Sequence, residues 1–293
     1  MEEKMTRKLP TFLSENEHGL WMTEDERENL KIDYRIKEII VEAQSTLQHV
    51  MILDSYSFGR MLVLDGAVQT TSLDGHIYNE TISHVPLSIH PNPKKVLIIG
   101  GGDCGVAKEV CKYSSVEQID VVEIDPMVVE VCLRHLPEVS GGLADSRVNF
   151  IFDDGVNYVQ NSPTKYDIVI VDSSDPIGPA EVLIEKSFYR SIFNALEEDG
   201  LMVCQSQSPI FHGEVMEQIF ERVHDIFPKT KMFTAVVPTY PGGLWSFTLG
   251  SKGYVIPNEA RMKELDALYV NEQIMASCFS LPEFMNKQLS KYR

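Results

Sequence analysis

The sequence predicts an α/β fold: a Rossmann-like, methyltransferase-type sheet, mostly parallel with an antiparallel last strand, preceded by a small antiparallel β domain. Three observations carry this expectation. Residues 34–71 form apolar runs broken by turn residues, and from Asp74 onward short β-branched runs alternate with helical pattern. The last two runs, 231–237 and 244–249, are joined only by Pro238-Thr239-Tyr240-Pro241-Gly242-Gly243. Alternation of strand and helix implies a parallel, doubly wound sheet, whereas a connection that short makes its two strands antiparallel. The expected division is 1–73 for the β domain and 74–293 for the Rossmann-like domain.

In the first domain the strand candidates are 36–43, 47–54 and 60–69, with Ser57-Phe58-Gly59 and Asp65-Gly66 as turns. A helix is expected near 77–89, stopped by His90-Pro91-Asn92-Pro93, since proline does not continue a helix. The strands 95–99, 118–124, 148–152, 167–171 and 201–205 follow, apolar along their length as strands covered on both faces are.

Carboxylates collect where these strands end. Asp172-Ser173-Ser174-Asp175-Pro176 follows the run 166–171, at the carboxyl end of a buried strand, where open α/β sheets bind ligands. Two carboxylates there suit a cationic substrate, an amine needing deprotonation or a divalent metal, and equally a turn whose aspartates cap backbone amides. Gly100-Gly101-Gly102-Asp103-Cys104-Gly105 follows the first strand and fits G-x-G-x-x-G through Gly100, Gly102 and Gly105. Glu123, about 20 residues on, stands where an acidic residue grips ribose hydroxyls, and Asp125 before Pro126 reads as a helix cap.

Asp103 is discordant with a dinucleotide. A pyrophosphate at a helix N-terminus is repelled by a carboxylate, while a nucleoside with a cationic tail is held. The favoured ligand is therefore an adenosyl sulfonium rather than NAD. In Asp153-Asp154-Gly155, Asp154 is placed to accept from an adenine amino group and Asp153 reads as a solvated loop charge. No histidine or further carboxylate has metal-ligand spacing within these loops, so no metal is expected.

The net charge of −17 argues against binding to nucleic acid or an anionic membrane, both of which depend on lysine and arginine. Five scattered cysteines, with no CxxC pair, favour reduced thiols over disulfides or zinc. Residues 1–8 lack the apolar core of a signal peptide, and no apolar run reaches the length of a membrane span, so a cytoplasmic location is expected. His84 and Met127 read as packing residues, Trp245 as a ring buried near the Tyr240 loop, and Cys104 as a thiol with no base beside it.

At this point the chain resembles the polyamine aminopropyltransferase family, from about Trp21 to Leu281-Pro282-Glu283-Phe284. The resemblance rests on Leu62-Val63-Leu64-Asp65-Gly66, His84-Val85-Pro86-Leu87, His90-Pro91-Asn92-Pro93, Gly100-Gly101-Gly102-Asp103, Val122-Glu123-Ile124-Asp125, Asp172-Ser173-Ser174-Asp175-Pro176 and Pro238-Thr239-Tyr240-Pro241. It implies a β domain used in homodimer or homotetramer contacts. It also implies transfer of an aminopropyl group from decarboxylated S-adenosylmethionine, a co-substrate rather than a resident cofactor, to putrescine. Gln48, Gly100, Gly102, Asp103, Glu123, Asp154, Gly155 and Pro179 are then implied as donor contacts. Tyr78, Asn79, Asp103, Ser173, Ser174, Asp175, Gln205 and Tyr240 are implied to line the amine channel, with Asp172 as the base. The pattern departs from the family at Gly75, Asn79, Cys104, Gln207 and Gly242. Two other readings share these features: a small-molecule methyltransferase using intact S-adenosylmethionine, and a non-catalytic polyamine-binding protein.

Overall fold

The computed structural model of the chain describes residues 9–26, 28–174 and 178–292, the side chains of 178, 179 and 264 excepted. Six strands open the chain as an antiparallel meander: β1 (Leu13–Asn16), β2 (Gly19–Glu26), β3 (Leu30–Gln44), β4 (His49–Ser55), β5 (Gly59–Leu64) and β6 (Ala67–Thr71). Asp65, at φ 50°, and Gly66, at φ 88°, turn β5 into β6, so the expected run 60–69 is two strands of a hairpin. β1, β2 and the first residues of β3 precede the expected β region. They pair edge to edge along Trp21↔Arg35 and Met22↔Tyr34, but few of their side chains are fully buried and most are half-buried or exposed, which weakens the apolar signal.

The second sheet is built from β7 (Lys95–Gly100), β8 (Gln118–Glu123), β9 (Val148–Phe152), β10 (Tyr166–Asp172), β11 (Leu196–Gln205), β12 (Lys229–Val236) and β13 (Leu244–Ser251). Their spatial order is β12-β13-β11-β10-β7-β8-β9. The pairs from β11 through β9 are parallel, and β13 runs antiparallel to both β11 and β12, as the short 237–243 connection requires.

Helices cover both faces: α1 (Gly75–Ile89), α2 (Gly105–Cys111), α3 (Pro126–His135), α4 (Pro137–Ser140), α5 (Gly155–Asn161), α6 (Lys186–Ala195), α7 (Gly213–His224), α8 (Glu272–Ser277) and α9 (Glu283–Gln288). The strand pleat sends alternate residues to opposite cores. Val96 and Ile98 of β7 join the core with Ile82 and Val85 of α1 and Val106 of α2, while Leu97 and Ile99 join the core with Phe188 and Ile192 of α6. A further cluster joins the two sheets: Val50, Ile52 and Leu62 pack against Val128, Val131 and Cys132 of α3. This contact seats the meander over the carboxyl ends of the parallel strands.

Candidate active site

Those strand ends and the meander enclose a cavity of about 460 Å³. Backbone geometry brings its two principal loops together. Gly100 ends β7 beside Asp172 of β10, at φ 84°, and a Cβ placed on it would strike the Asp172 carbonyl oxygen. That carbonyl accepts from the Gly101 amide at 3.0 Å. Glycine is needed here for its positive φ and for the close approach of the two chains.

Asp172 emerges half-buried at the centre of the site, and the Tyr78 hydroxyl of α1 donates to its Oδ1 at 2.8 Å. Burial and the neighbouring Asp103 and Glu123 charges push its pKa up to about 8, against a partial lowering by the Tyr78 bond. Asp103 is also held above the usual carboxylate range, chiefly by burial, although the Gly105 amide donates to its Oδ1 at 2.8 Å. Burial raises Glu123 likewise, and its Oε1 accepts from the Asp125 amide at 2.9 Å. One wall of the cavity is aromatic. Tyr240 sits edge-on to Tyr78 at 5.7 Å and 4.6 Å from the Trp245 ring, and its hydroxyl donates to the Gln69 carbonyl at 2.8 Å.

The remaining expected residues fall in varied places. Gln48, Gly102, Asp154, Gly155, Ser173, Ser174 and Gln205 all line the cavity. The Gln48 amide nitrogen donates to Asp125 Oδ2 at 2.9 Å, and Asp125 Oδ1 caps α3 through the Met127 amide at 3.1 Å, as its position before Pro126 predicts. Asp154 caps α5 by accepting from the Asn157 amide at 2.8 Å through its Oδ1, and the residue lines the cavity. Gln205 lies at the end of β11, donating to the Ser173 carbonyl at 3.4 Å. Asn79 differs from the expectation: it is buried behind the glycine loop, packed on Gly105, and is not among the residues lining the cavity. The backbone of Pro179 lies in a 3-10 turn over 178–184, and Asp175 lies outside the described residues. Trp245 is buried beside Tyr240, as expected, and Cys104 is buried with its thiol pushed upward by burial, no base being in contact.

Glu24 and Glu26 of β2, with Asp65 and Gln69, close the cavity from the meander and were not among the expected site residues. Glu24 accepts from the Val68 amide at 2.9 Å, and Glu26 pairs with His212 at 2.8 Å. A usable signal was the alternation Met22-Thr23-Glu24-Asp25-Glu26, which puts Met22 and Glu24 on one buried face of a strand. Seven carboxylates thus line the cavity, from Glu24, Glu26, Asp65, Asp103, Glu123, Asp154 and Asp172, and none of the described lining residues is lysine, arginine or histidine.

At the opposite end of the sheet, His90, Asp167 and Asp199 bring potential ligand atoms within 4.8 Å of one another. His90 Nδ1 accepts from the Asn92 amide at 3.3 Å, which puts the ring proton on the Nε2 facing Asp199. A metal there requires the other tautomer.

A family model described as the spermine/spermidine synthase domain matches residues 75–260, and one described as the spermidine synthase tetramerisation domain matches residues 20–72. The polyamine aminopropyltransferase of Caldicellulosiruptor bescii is 45% identical over 273 residues, spanning 92% of this chain and 98% of that protein. The polyamine aminopropyltransferase of Methanocaldococcus jannaschii is 42% identical over 280 residues, spanning 93% and 96%. Among solved structures, a spermidine synthase in complex with the transition state analogue AdoDATO matches with a TM-score of 0.90 at 33% identity, over 97% of this chain and 99% of that one. The spermidine synthase from Thermotoga maritima matches with a TM-score of 0.87 at 33% identity, over 96% and 98%.

Proposed function

The chain belongs to the spermine/spermidine synthase family of polyamine aminopropyltransferases, and from that premise we propose that it transfers the aminopropyl group of decarboxylated S-adenosylmethionine to putrescine. The observation that carries this reading is the cavity wall of seven carboxylates without a cationic side chain among its described residues. Within such a wall like charges repel, and the Asp103 and Glu123 charges add to burial in holding the Asp172 pKa up. A donor whose tail carries only positive charge relieves that repulsion, whereas intact S-adenosylmethionine adds a carboxylate to it.

In the proposed mechanism the acceptor amine loses a proton to Asp172, and the freed nitrogen lone pair attacks the methylene beside the sulfonium. The C–S bond breaks with its electron pair going to sulfur, so a neutral thioether, 5′-methylthioadenosine, leaves. A carboxylate of ordinary pKa is a weak base toward an ammonium of pKa near 10. The upward shift of Asp172 narrows that gap, and the Tyr78 bond fixes which oxygen faces the amine. Tyr78 and Tyr240 supply apolar walls for the methylenes, and Glu24 and Glu26 keep negative potential at the far end of the cavity for a second ammonium.

The assembly is proposed to be a homo-oligomer, in keeping with the tetramerisation description over residues 20–72. The net charge opposes nucleic acid and anionic membranes as partners. Among the described residues no helix is long and apolar enough to cross a membrane, and the five cysteines are unpaired, which suits a reducing cytoplasm.

Incubation with a panel of diamines and either donor, followed by product analysis, tests the reaction. The expected products are 5′-methylthioadenosine and a triamine from the decarboxylated donor only. Methyl transfer, or calorimetric binding of intact S-adenosylmethionine as tight as that of the decarboxylated form, would sink the proposal.

A further inference from the structure

Asp74 lies between β6 and α1, in the position from which an aspartate ordinarily accepts a hydrogen bond from the first turn of a helix. Its side chain makes no such cap. Both carboxylate oxygens are committed elsewhere. Oδ1 accepts from the Thr71 and Thr239 hydroxyls, each at 2.6 Å, and Oδ2 accepts from the Thr239 backbone amide at 2.7 Å. The residue is buried, so these bonds are made away from competing water, where a charged acceptor counts for most.

Thr239 immediately precedes Tyr240 in the 237–243 connection. The same segment is tied to the meander twice more: Tyr34 donates to the Thr239 carbonyl at 3.3 Å, and Tyr240 donates to the Gln69 carbonyl at 2.8 Å. From Tyr240 the contact continues edge-on to Tyr78, and from Tyr78 to Asp172. The donor side is reached from β6 by a different residue, Thr70, whose hydroxyl bonds Asp103.

We propose that Asp74 is a positioning residue for the acceptor amine: by clamping Thr239 it fixes Tyr240 as the wall that presents the amine nitrogen to Asp172. This rests on reading the cavity as an aminopropyl-transfer site. Because the clamp ends on Tyr240 and not on the glycine loop, its loss acts on the amine rather than on the donor. A role in general stability alone would disturb both.

Steady-state kinetics with decarboxylated S-adenosylmethionine and putrescine, on the full chain, separate these outcomes. Asp74→Asn and Thr239→Val are each expected to raise the amine KM by about tenfold or more with the donor KM within about twofold, as loss of a charge-assisted bond that orients one substrate should. Thr239→Ser, which keeps the hydroxyl, is expected to behave as wild type. Asp74→Asn combined with Thr239→Val should be no worse than the worse single variant, since both remove one clamp. If Asp74→Asn does not fold, the Thr239→Val and Thr239→Ser pair decides. An unchanged amine KM, or a parallel rise of both constants, overturns the inference while leaving the reaction intact. A wild-type protein that forms no triamine overturns both.

Discussion

At the scale of single residues, Asp172 carries the sharpest expectations. Its pKa of about 8 in the ligand-free cavity means that much of it is protonated at neutral pH, and kcat/KM reports groups of the free enzyme. An acid limb near pH 8 is therefore expected in kcat/KM for the donor, shifted to lower pH in kcat, because in the proposed reaction the bound sulfonium offsets the repulsion from Asp103. Coincident limbs in the two profiles would count against this account. Asp172→Asn should remove the limb and lower turnover by at least about a hundredfold, the scale of a lost positioned base. Stability runs the other way. A carboxyl whose folded pKa is raised stabilises the fold fully only below its unfolded value near 4, and loses that contribution as pH rises through 8. The melting temperature of ligand-free Asp172→Asn at pH 8.5 is thus expected to equal or exceed wild type, and a clear drop would mean that Asp172 is structural. Asp172, Asp103 and Glu123 were legible in the sequence because they follow apolar strands directly. Glu24 and Glu26 stand out less, since only the short alternation around Met22 marks a buried face of β2, and charged residues in so polar a run look like surface charge until another sheet covers them.

At the scale of elements, the glycine loop and the Asp172 loop behave as one unit. Their strands are neighbours in register, Gly100 beside Asp172, and the chains approach so closely that no Cβ fits at Gly100. Gly100→Ala combines a left-handed backbone with that collision, a strain of about 1–2 kcal/mol or more. A fall in melting temperature of at least about 3 °C is expected by calorimetry, together with donor binding weakened about tenfold or more, since the loop amides move with the backbone. Wild-type behaviour would show that the loop is not constrained by β10. The places of the parallel strands along the chain were readable because continuous β-branched runs mark strands buried on both faces, whereas their order across the sheet comes only from the fold. β11 begins earlier than its apolar run, at Leu196, because Leu196-Glu197-Glu198-Asp199-Gly200 leads into the sheet on hydrogen bonds rather than on burial. β1 and β2 escaped notice for the same reason. The resemblance implies Asn79 beside Tyr78 in the amine channel, but successive helical residues point about a third of a turn or less apart, and that rotation turns Asn79 onto Gly105.

At the scale of the whole molecule, the site exists only because two sheets meet. The parallel sheet supplies Asp103, Glu123, Asp154 and Asp172, the meander adds Glu24, Glu26 and Asp65, and the apolar seam between α3 and the meander holds the two sets face to face. Composition foreshadowed the sign of this field through the net charge of −17, but not its focus, which depends on which carboxylates the fold brings together. A concave, low-dielectric wall of one sign draws oppositely charged ligands and speeds their encounter. Added salt should therefore slow capture of a dicationic amine more than the chemistry that follows. The screening length shrinks from more than about 10 Å below 0.1 M salt to about 3 Å at 1 M, so kcat/KM for the amine is expected to fall several-fold between roughly 0.05 and 0.5 M sodium chloride. At saturating amine kcat should change little, because in the proposed complex the cation is placed against partly buried carboxylates that salt screens weakly. A flat kcat/KM, or a kcat that falls in parallel with it, would mean that the acidic cavity acts only after the amine has arrived.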